Sequence, residues 1–277
     1  MQDSEAVVAA GPPRSLGVES GSRVRFGEAP KPEGAWAGTR TLWIDEAPTF
    51  ALSYWCGTCP FLFERLEGGG ANLSLRDLSK QLAVGLDELD EDVIARFATL
   101  LPLGTYLPLL LRVQPQLVRS GEGGDYFADE QMKTWTQGWQ AHDPQTAYYR
   151  TYEAPVEAEA HLFEFVVPMV PPTWNEPGRA GEHRARLARS ERPTAVAVAT
   201  LDVSQPAMSD ESDDYFAHWG LTHFLLDGHH KMEAAAEATR PLRLLSLVSL
   251  DSSLAKDEQV LRLPELRARP RARRESK

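Results

Sequence analysis

The run Leu225-Leu-Asp-Gly-His-His-Lys231 brings a carboxylate (Asp227), a glycine (Gly228), two imidazoles (His229, His230) and an ammonium (Lys231) into five consecutive positions. Read as a strand that passes through a glycine turn into a helix, it aims the unpaired N–H groups of the first helical turn at whatever occupies the turn. The positive end of the helix dipole points the same way. The imidazoles and the ammonium add donors, so the pattern predicts an anion site. Asp227 is expected to cap the helix with its carboxylate, while Gly228 lets a ligand approach the backbone. Successive helical residues stand about 100° apart, so one packing surface cannot bury both His229 and His230. The same residues also fit a second reading, a capped helix start with solvent-exposed histidines.

Cys56-Gly-Thr-Cys59, preceded by Trp55, is the other chemically suggestive spacing. A Cys-x-x-Cys pair that opens a helix can have its first thiol acidified by the helix amino end, giving a redox couple. The Trp resembles the thioredoxin active site. Pro60, however, stands where that family prefers a basic residue, and the Gly- and Pro-rich residues ahead leave no room for its strand-helix-strand entry. Half a zinc site would need two more ligands, and no His lies within 80 residues after Cys59, so His142 or His161 would have to come round in space. Buried reduced thiols, a redox or disulfide pair and a metal site all stay open. With only two Cys, a cluster held by four thiolates of this chain is excluded.

The elements that must position these groups follow from periodicity. His161 to Met169 reads as a strand, Glu182 to Ser190 as a short helix, and Pro193 to Asp202 as a strand. An acidic loop at 209–214 leads to the strand Leu221 to Leu226. His229 to Thr239 is a helix with Met232, Ala235, Ala236 and Thr239 on one stripe, ended by Pro241, and Leu242 to Leu250 is a last strand. Further upstream, Thr41 to Asp45 and Thr49 to Trp55 favour β-structure. Leu75, Leu78, Leu82 and Leu86 mark a helix with Ser74 as N-cap and Asp77 in the capping-box position. Asp90 to Phe97 starts a second helix, and Gly104 to Val113 is a buried strand. Trp135, Trp139, Tyr148 and Tyr149 are expected at the seam between the two stretches.

The 277 residues, 42% apolar and 25% charged, describe an ordinary globular chain long enough to fold without staples. No apolar run reaches the ~18 residues of a membrane span, and Met1-Gln-Asp-Ser-Glu5 lacks the features of a signal peptide, so a cytoplasmic protein without a membrane partner is expected. A net charge of −11 argues against broad wrapping of nucleic acid. Residues 262–277 carry six Arg and one Lys against two Glu, a net of +5 that leaves −16 on the remainder. That basic stretch reads as a disordered tail, and residues 1–38, rich in Gly, Pro, Ser and Glu, as a loose arm. Pro264 and Pro270 preclude a DNA-reading helix there, so sequence-specific nucleic acid is not an expected partner.

Asp227-Gly-His-His-Lys231 and the Ala-rich helix after it resemble the Asp-Gly-His-His-Arg and Gly-x-His-Arg motifs of the ParB/sulfiredoxin-like superfamily. Leu187-Ala-Arg-Ser-Glu-Arg-Pro-Thr-Ala-Val-Ala-Val198 is similar to its helix followed by a Pro-led strand, and Val166-Val-Pro-Met-Val-Pro-Pro-Thr-Trp-Asn175 to its opening strand and Pro/Asn loop. The likeness spans residues 161–255. It implies a motif that cradles nucleotide phosphates through Gly228, His229, His230 and Lys231. It also implies a nucleoside triphosphate with Mg²⁺ as cofactor, and Asp227 or Glu176 as the carboxylate that orients a hydroxyl or holds the metal. Lys231 replaces the usual Arg, keeping the charge and losing the bidentate fork. No Cys lies near the motif, which argues against sulfiredoxin chemistry. His223, two residues before Leu225, fits a satisfied sheet histidine better than a catalyst.

The expected fold is α/β or α+β: a mixed sheet with a ParB/sulfiredoxin-like unit at 161–255, and an N-terminal mixed α/β part at 39–150 that packs on it or extends its sheet. Residues 256–277 would form the basic tail. The expected function is nucleotide or phosphate binding, extending to ATP-dependent phosphotransfer onto a small hydroxylated substrate. Its alternatives are a non-catalytic module that binds a ligand or a protein partner, and a Cys56/Cys59 redox or zinc protein.

Overall fold

The computed structural model describes residues 6–29, 40–52, 63–66, 70–119, 125, 128, 147–158, 160–170, 176–189, 191–204 and 217–269. Cys56, Cys59, Trp135, Trp139, His142, the Pro/Asn loop and the acidic loop lie outside the described residues.

The long apolar runs form the long strands. β7 (Gly104–Val113), β9 (Tyr148–Glu157), β10 (Ala160–Pro168), β11 (Thr194–Ser204), β12 (Ala217–Asp227) and β13 (Leu242–Ser249) are buried along most of their length. Such continuous burial is the signature of strands covered on both faces. With the short strands β1 (Val7–Ala10), β2 (Arg14–Leu16) and β8 (Gln116–Val118), they form a nine-stranded sheet. Its order is β1-β7-β13-β11-β12-β10-β9-β8, with β2 also on β7. The pairs β10/β12 and β11/β13 are parallel and the other pairings antiparallel. The class is α+β. The N-terminal part extends the sheet of the C-terminal part, because β7 pairs with β13 along its length.

One face of the sheet is covered by a second sheet in the order β3 (Val24–Glu28), β4 (Arg40–Ile44), β5 (Ala47–Leu52), β6 (Phe63–Arg65). The short helix α1 (Ser79–Val84) and α2 (Glu91–Ala98) lie beside it. Leu42, Phe50, Phe63, Leu82 and Phe97 meet Phe163, Phe165 and Phe224 in that core. The opposite face packs against α3 (Pro177–Ala188), α4 (His229–Glu237), α5 (Asp257–Leu261) and α6 (Leu263–Ala268) through Leu187, Met232, Val260, Leu263 and Leu266. Among the described residues no helix is long and apolar enough to cross a membrane.

Three expectations are corrected. The loose arm is structured over Val7 to Glu28: β1 and β2 pair with β7, and β3 with β4, because a sheet edge offers unpaired backbone groups that a weakly apolar strand can satisfy. Ser74 does not cap α1. A single 3-10 turn at Arg76–Leu78 precedes the helix, and the residue before that turn, Leu75, gives no side-chain bond. Asp90, by contrast, caps α2, accepting the Val93 N–H at 3.0 Å, at the position where the sequence shows a helix start. The tail folds through residue 269, since α6 buries Leu263, Leu266 and Arg267.

Two buried ion pairs fasten the layers. Arg40 on β4 grips Asp202 on β11 through both guanidinium nitrogens, at 2.8 and 3.0 Å. Arg267 on α6 donates to Glu164 on β10 at 2.6 Å, and the Thr151 hydroxyl donates to the same carboxylate at 2.6 Å. Burial alone would raise the Glu164 carboxyl. The Arg267 charge, helped by His223 and Thr151, outweighs burial and brings it down to about 2. A carboxyl depressed below its unfolded value of about 4.3 adds stability that is present above that pH and is lost as pH falls through about 2. Removing one partner strands the other in the core. Arg267→Ala should therefore cost about 3–5 kcal/mol in urea unfolding at neutral pH, while the paired replacement Glu164→Gln with Arg267→Met should recover most of that loss.

Candidate functional site

β12 lies between β10 and β11, so its carboxyl end is held on both sides, and at Asp227 the chain turns directly into α4. The turn requires glycine. Gly228 has φ +99°, and a Cβ there would lie 2.7 Å from the Ala195 Cβ and 2.9 Å from its Cα. The Gly228 carbonyl accepts the Met232 N–H at 2.8 Å, the first helical bond of α4. The N–H groups of His229, His230 and Lys231 precede that bond and have no helical acceptor.

A cavity of about 680 Å³ opens over this turn, beyond the carboxyl ends of the parallel strands β10 and β12, where open α/β sheets place their ligands. Gly228 to Lys231 form its floor. Glu176, Arg179 and His183, spaced along one face of α3, form a wall, and Ser74, Arg76 and Ser79 form the opposite wall. Sequence reading names Glu176 and the motif but not Arg179, His183, Arg76 or Ser79. On α3 the i, i+3, i+7 spacing was available as a signal. On α1 none was, because only the packing of that helix on the sheet brings it there.

The motif residues are brought together with roles that differ from those expected. Asp227 does not cap α4: the N-cap is Gly228, and no side chain caps the helix. The Asp227 carboxylate instead accepts from Lys231 Nζ at 2.8 Å, and the same ammonium donates to the Thr194 carbonyl at 2.8 Å, with both side chains buried. The cation expected to face a ligand is thus anchored to the floor, with one of its three N–H groups left over. Neither imidazole stands as a cation. His229 Nε2 accepts the Met169 N–H at 3.1 Å, and burial lowers this imidazole to about 4. His230 Nε2 accepts the Glu176 N–H at 2.9 Å, and burial and then Arg179 lower it too. With Nε2 accepting, each neutral ring carries its proton on Nδ1 and keeps one donor.

Burial, then the charges of Lys231 and Arg186, hold His183 down to about 4 as well, and its Nδ1 is buried without a hydrogen-bond partner. Glu176, the second carboxylate candidate, is exposed and pairs with Arg179 at 3.1 Å. Arg76 has no ion-pair partner among the described residues. The pairs Lys231–Asp227 and Arg179–Glu176 cancel, which leaves the Arg76 charge, the amino end of α4 and neutral N–H donors facing the cavity. An anion is the complementary ligand. Among the described residues no group of three His, Cys, Asp or Glu could hold a metal ion. His223 is fully buried, with Nδ1 2.8 Å from Ser246 Oγ and Nε2 3.7 Å from Glu164, so it belongs to the core and not to the cavity.

Comparison with protein-family models, with curated proteins and with solved structures finds no match.

Lys231→Ala should strand a buried Asp227 and cost about 3–5 kcal/mol in stability, so its melting temperature falls before any ligand is added. The two low histidines set an acid limit. An imidazole whose folded value lies near 4, against about 6.5 unfolded, contributes stability that is present above 6.5 and lost as pH falls toward 4, because the unfolded chain takes up the proton first. The melting temperature should drop between pH 7 and 4.5. His229→Gln, whose side-chain oxygen can accept the Met169 N–H, should make that drop shallower.

Proposed function

We propose that the protein binds the phosphates of a nucleotide in the cavity at the amino end of α4. The observation that carries this reading is the convergence, over one glycine turn, of backbone N–H groups without a helical acceptor, neutral imidazole Nδ1–H donors and the Arg76 guanidinium, which has no ion-pair partner among the described residues. Neutral donors bind phosphate oxygens without having to be charged first, and Arg76 supplies the net positive charge. The resemblance of residues 161–255 to the ParB/sulfiredoxin-like superfamily supports the same assignment of Gly228, His229, His230 and Lys231. Here Lys231 acts mainly by fixing Asp227 under the turn.

Phosphoryl transfer from a nucleoside triphosphate with Mg²⁺ to a small hydroxylated substrate is the narrower form of the proposal. Glu176 is its carboxylate, because Asp227 is committed to Lys231. Glu176 stands exposed at the cavity wall and would exchange its surface pairing with Arg179 for a metal or a hydroxyl.

Melting curves with tripolyphosphate, ATP, CTP and GTP, each with and without Mg²⁺, test the reading. A ligand at 100 times its dissociation constant should add about 2.7 kcal/mol. Arg76→Ala, an exposed change, should leave the free protein's melting temperature in place and weaken binding about tenfold, as loss of a charged hydrogen bond does. The reading fails if no phosphate compound raises the melting temperature. If transfer occurs, Glu176→Gln should keep the stabilisation and lose nucleotide turnover.

A further inference from the structure

The loop that follows α1 is pressed against the amino ends of β11 and β13. Gly85 has φ +107°, and a Cβ there would collide with the Arg192 carbonyl oxygen, so only glycine lets the two backbones approach. The Leu86 N–H donates to Thr194 Oγ1 at 2.9 Å, and the Arg243 N–H donates to the Pro193 carbonyl at 3.0 Å. This backbone frame carries Asp87 to a place where Arg243 Nη2, at 3.2 Å, and Arg192 Nη1, at 4.0 Å, meet the same carboxylate oxygen. Arg112 on β7 is the direct cross-strand partner of Arg243 on β13, so a third guanidinium joins the pair.

Three arginines therefore share one carboxylate, three positive charges against one negative, a net of +2. Like charges directly opposite on neighbouring strands oppose folding, and the nearby acids bring no further ion pair. Glu191, next to Arg192, accepts from Arg186 and Arg189 instead, and the exposed Glu88, next to Asp87, pairs with none of the three. Arg112 is exposed and has no ion-pair partner among the described residues. Arg243 is 7% exposed, and its Nε is buried without a hydrogen-bond partner. Burial and then Arg192 lower the Arg243 guanidinium, Asp87 raises it and Arg112 lowers it again, so one carboxylate does not offset the charges around it. The Asp87 side chain is 86% exposed, a surface pairing of the kind that contributes little and is readily exchanged.

We infer that Arg112, Arg192 and Arg243 form a second anion site, which takes a doubly charged oxyanion of the phosphate or sulfate kind, free or carried on a small molecule, in place of Asp87. The planar fork of each guanidinium matches two oxygens of such an ion, and an ion of charge −2 balances the cluster where a single carboxylate does not. It would also engage Arg112, with which Asp87 makes no pair. None of the three arginines lines the cavity over the α4 turn, and neither does Asp87, so the inference does not depend on the nucleotide reading of that cavity.

The experiment measures dissociation constants of the full chain for inorganic phosphate, sulfate and glycerol phosphate at fixed ionic strength, with chloride as control. It is done in the Arg76→Ala background, which weakens the first cavity. The divalent anions should bind there and raise the melting temperature, and chloride should not. Adding Arg112→Ala with Arg192→Ala, both exposed changes, should weaken phosphate at least tenfold without lowering the melting temperature of the free protein. Asp87→Asn removes the competing carboxylate, so it should tighten phosphate several-fold while lowering the melting temperature of the free protein. Glycerol phosphate bound as well as phosphate assigns a carried phosphoryl group, and phosphate or sulfate bound alone assigns the free ion. Stabilisation that follows ionic strength and is equal with chloride is screening and would overturn the site. Unchanged phosphate affinity after the two arginine replacements would overturn it too, as would a chain that binds none of these anions. Failure of nucleotides to bind leaves each of these outcomes readable.

Discussion

Both faces of the nine-stranded sheet must be kept from water, and the other layers follow from that requirement. β12 and its neighbours carry so little solvent-facing surface that a charged group on them is costly unless it is matched inside the protein. Glu164 finds Arg267 and Thr151, Asp202 finds Arg40, His223 finds Ser246 and Asp227 finds Lys231. In each case the partner lies on a different element from the group it matches. The buried polar groups thus act as addresses: α6, β4, β13 and α4 each dock where one of them waits. The hydrophobic contacts supply most of the stabilisation, and the ion pairs fix which surface meets which.

The long elements were legible in the sequence because their signals are local. β10 to β13, α3 and α4 show as apolar runs and helical stripes, and Asp90 to Phe97 as a helix start. What escaped depends on distant partners. Val7-Val-Ala-Ala10 is too short and too weakly apolar to read as a strand until β7 offers it an edge. Arg267 sits in a run of arginines that looks like a solvated tail, and nothing nearby reveals that Glu164 waits 103 positions earlier. The candidate site divides in the same way. The glycine turn was readable from Asp227-Gly228 alone. That Asp227 turns from capping to pairing depends on the i, i+4 reach of Lys231, and that the histidines are neutral depends on Met169 and Glu176, which the sequence places far off.

The electrostatics of the cavity follow from this division of labour. Ionised groups are committed to one another on the floor and wall, while the groups left to meet a ligand are N–H donors that cost little to hold in place. Such a site favours an anion through oriented dipoles and one exposed guanidinium, with its histidines uncharged near neutral pH. The acidic body of the protein repels anions at long range, so selectivity depends on short-range fit more than on attraction from afar.

The strand order carries a consequence for biosynthesis. Among the described residues β13 comes last of the strands in chain order, yet it lies inside the sheet, parallel to β11 on one side and antiparallel to β7 on the other. Until it arrives, β7 with its N-terminal partners and β11 with its own neighbours present two open, apolar edges that cannot pair with each other in register. The nascent chain is then most exposed to mispairing with other chains, and insertion of Leu242 to Ser249 closes both edges at once. Folding of this topology waits on long-range pairing, which makes it slow for its size and dependent on how the unfinished edges are shielded during translation.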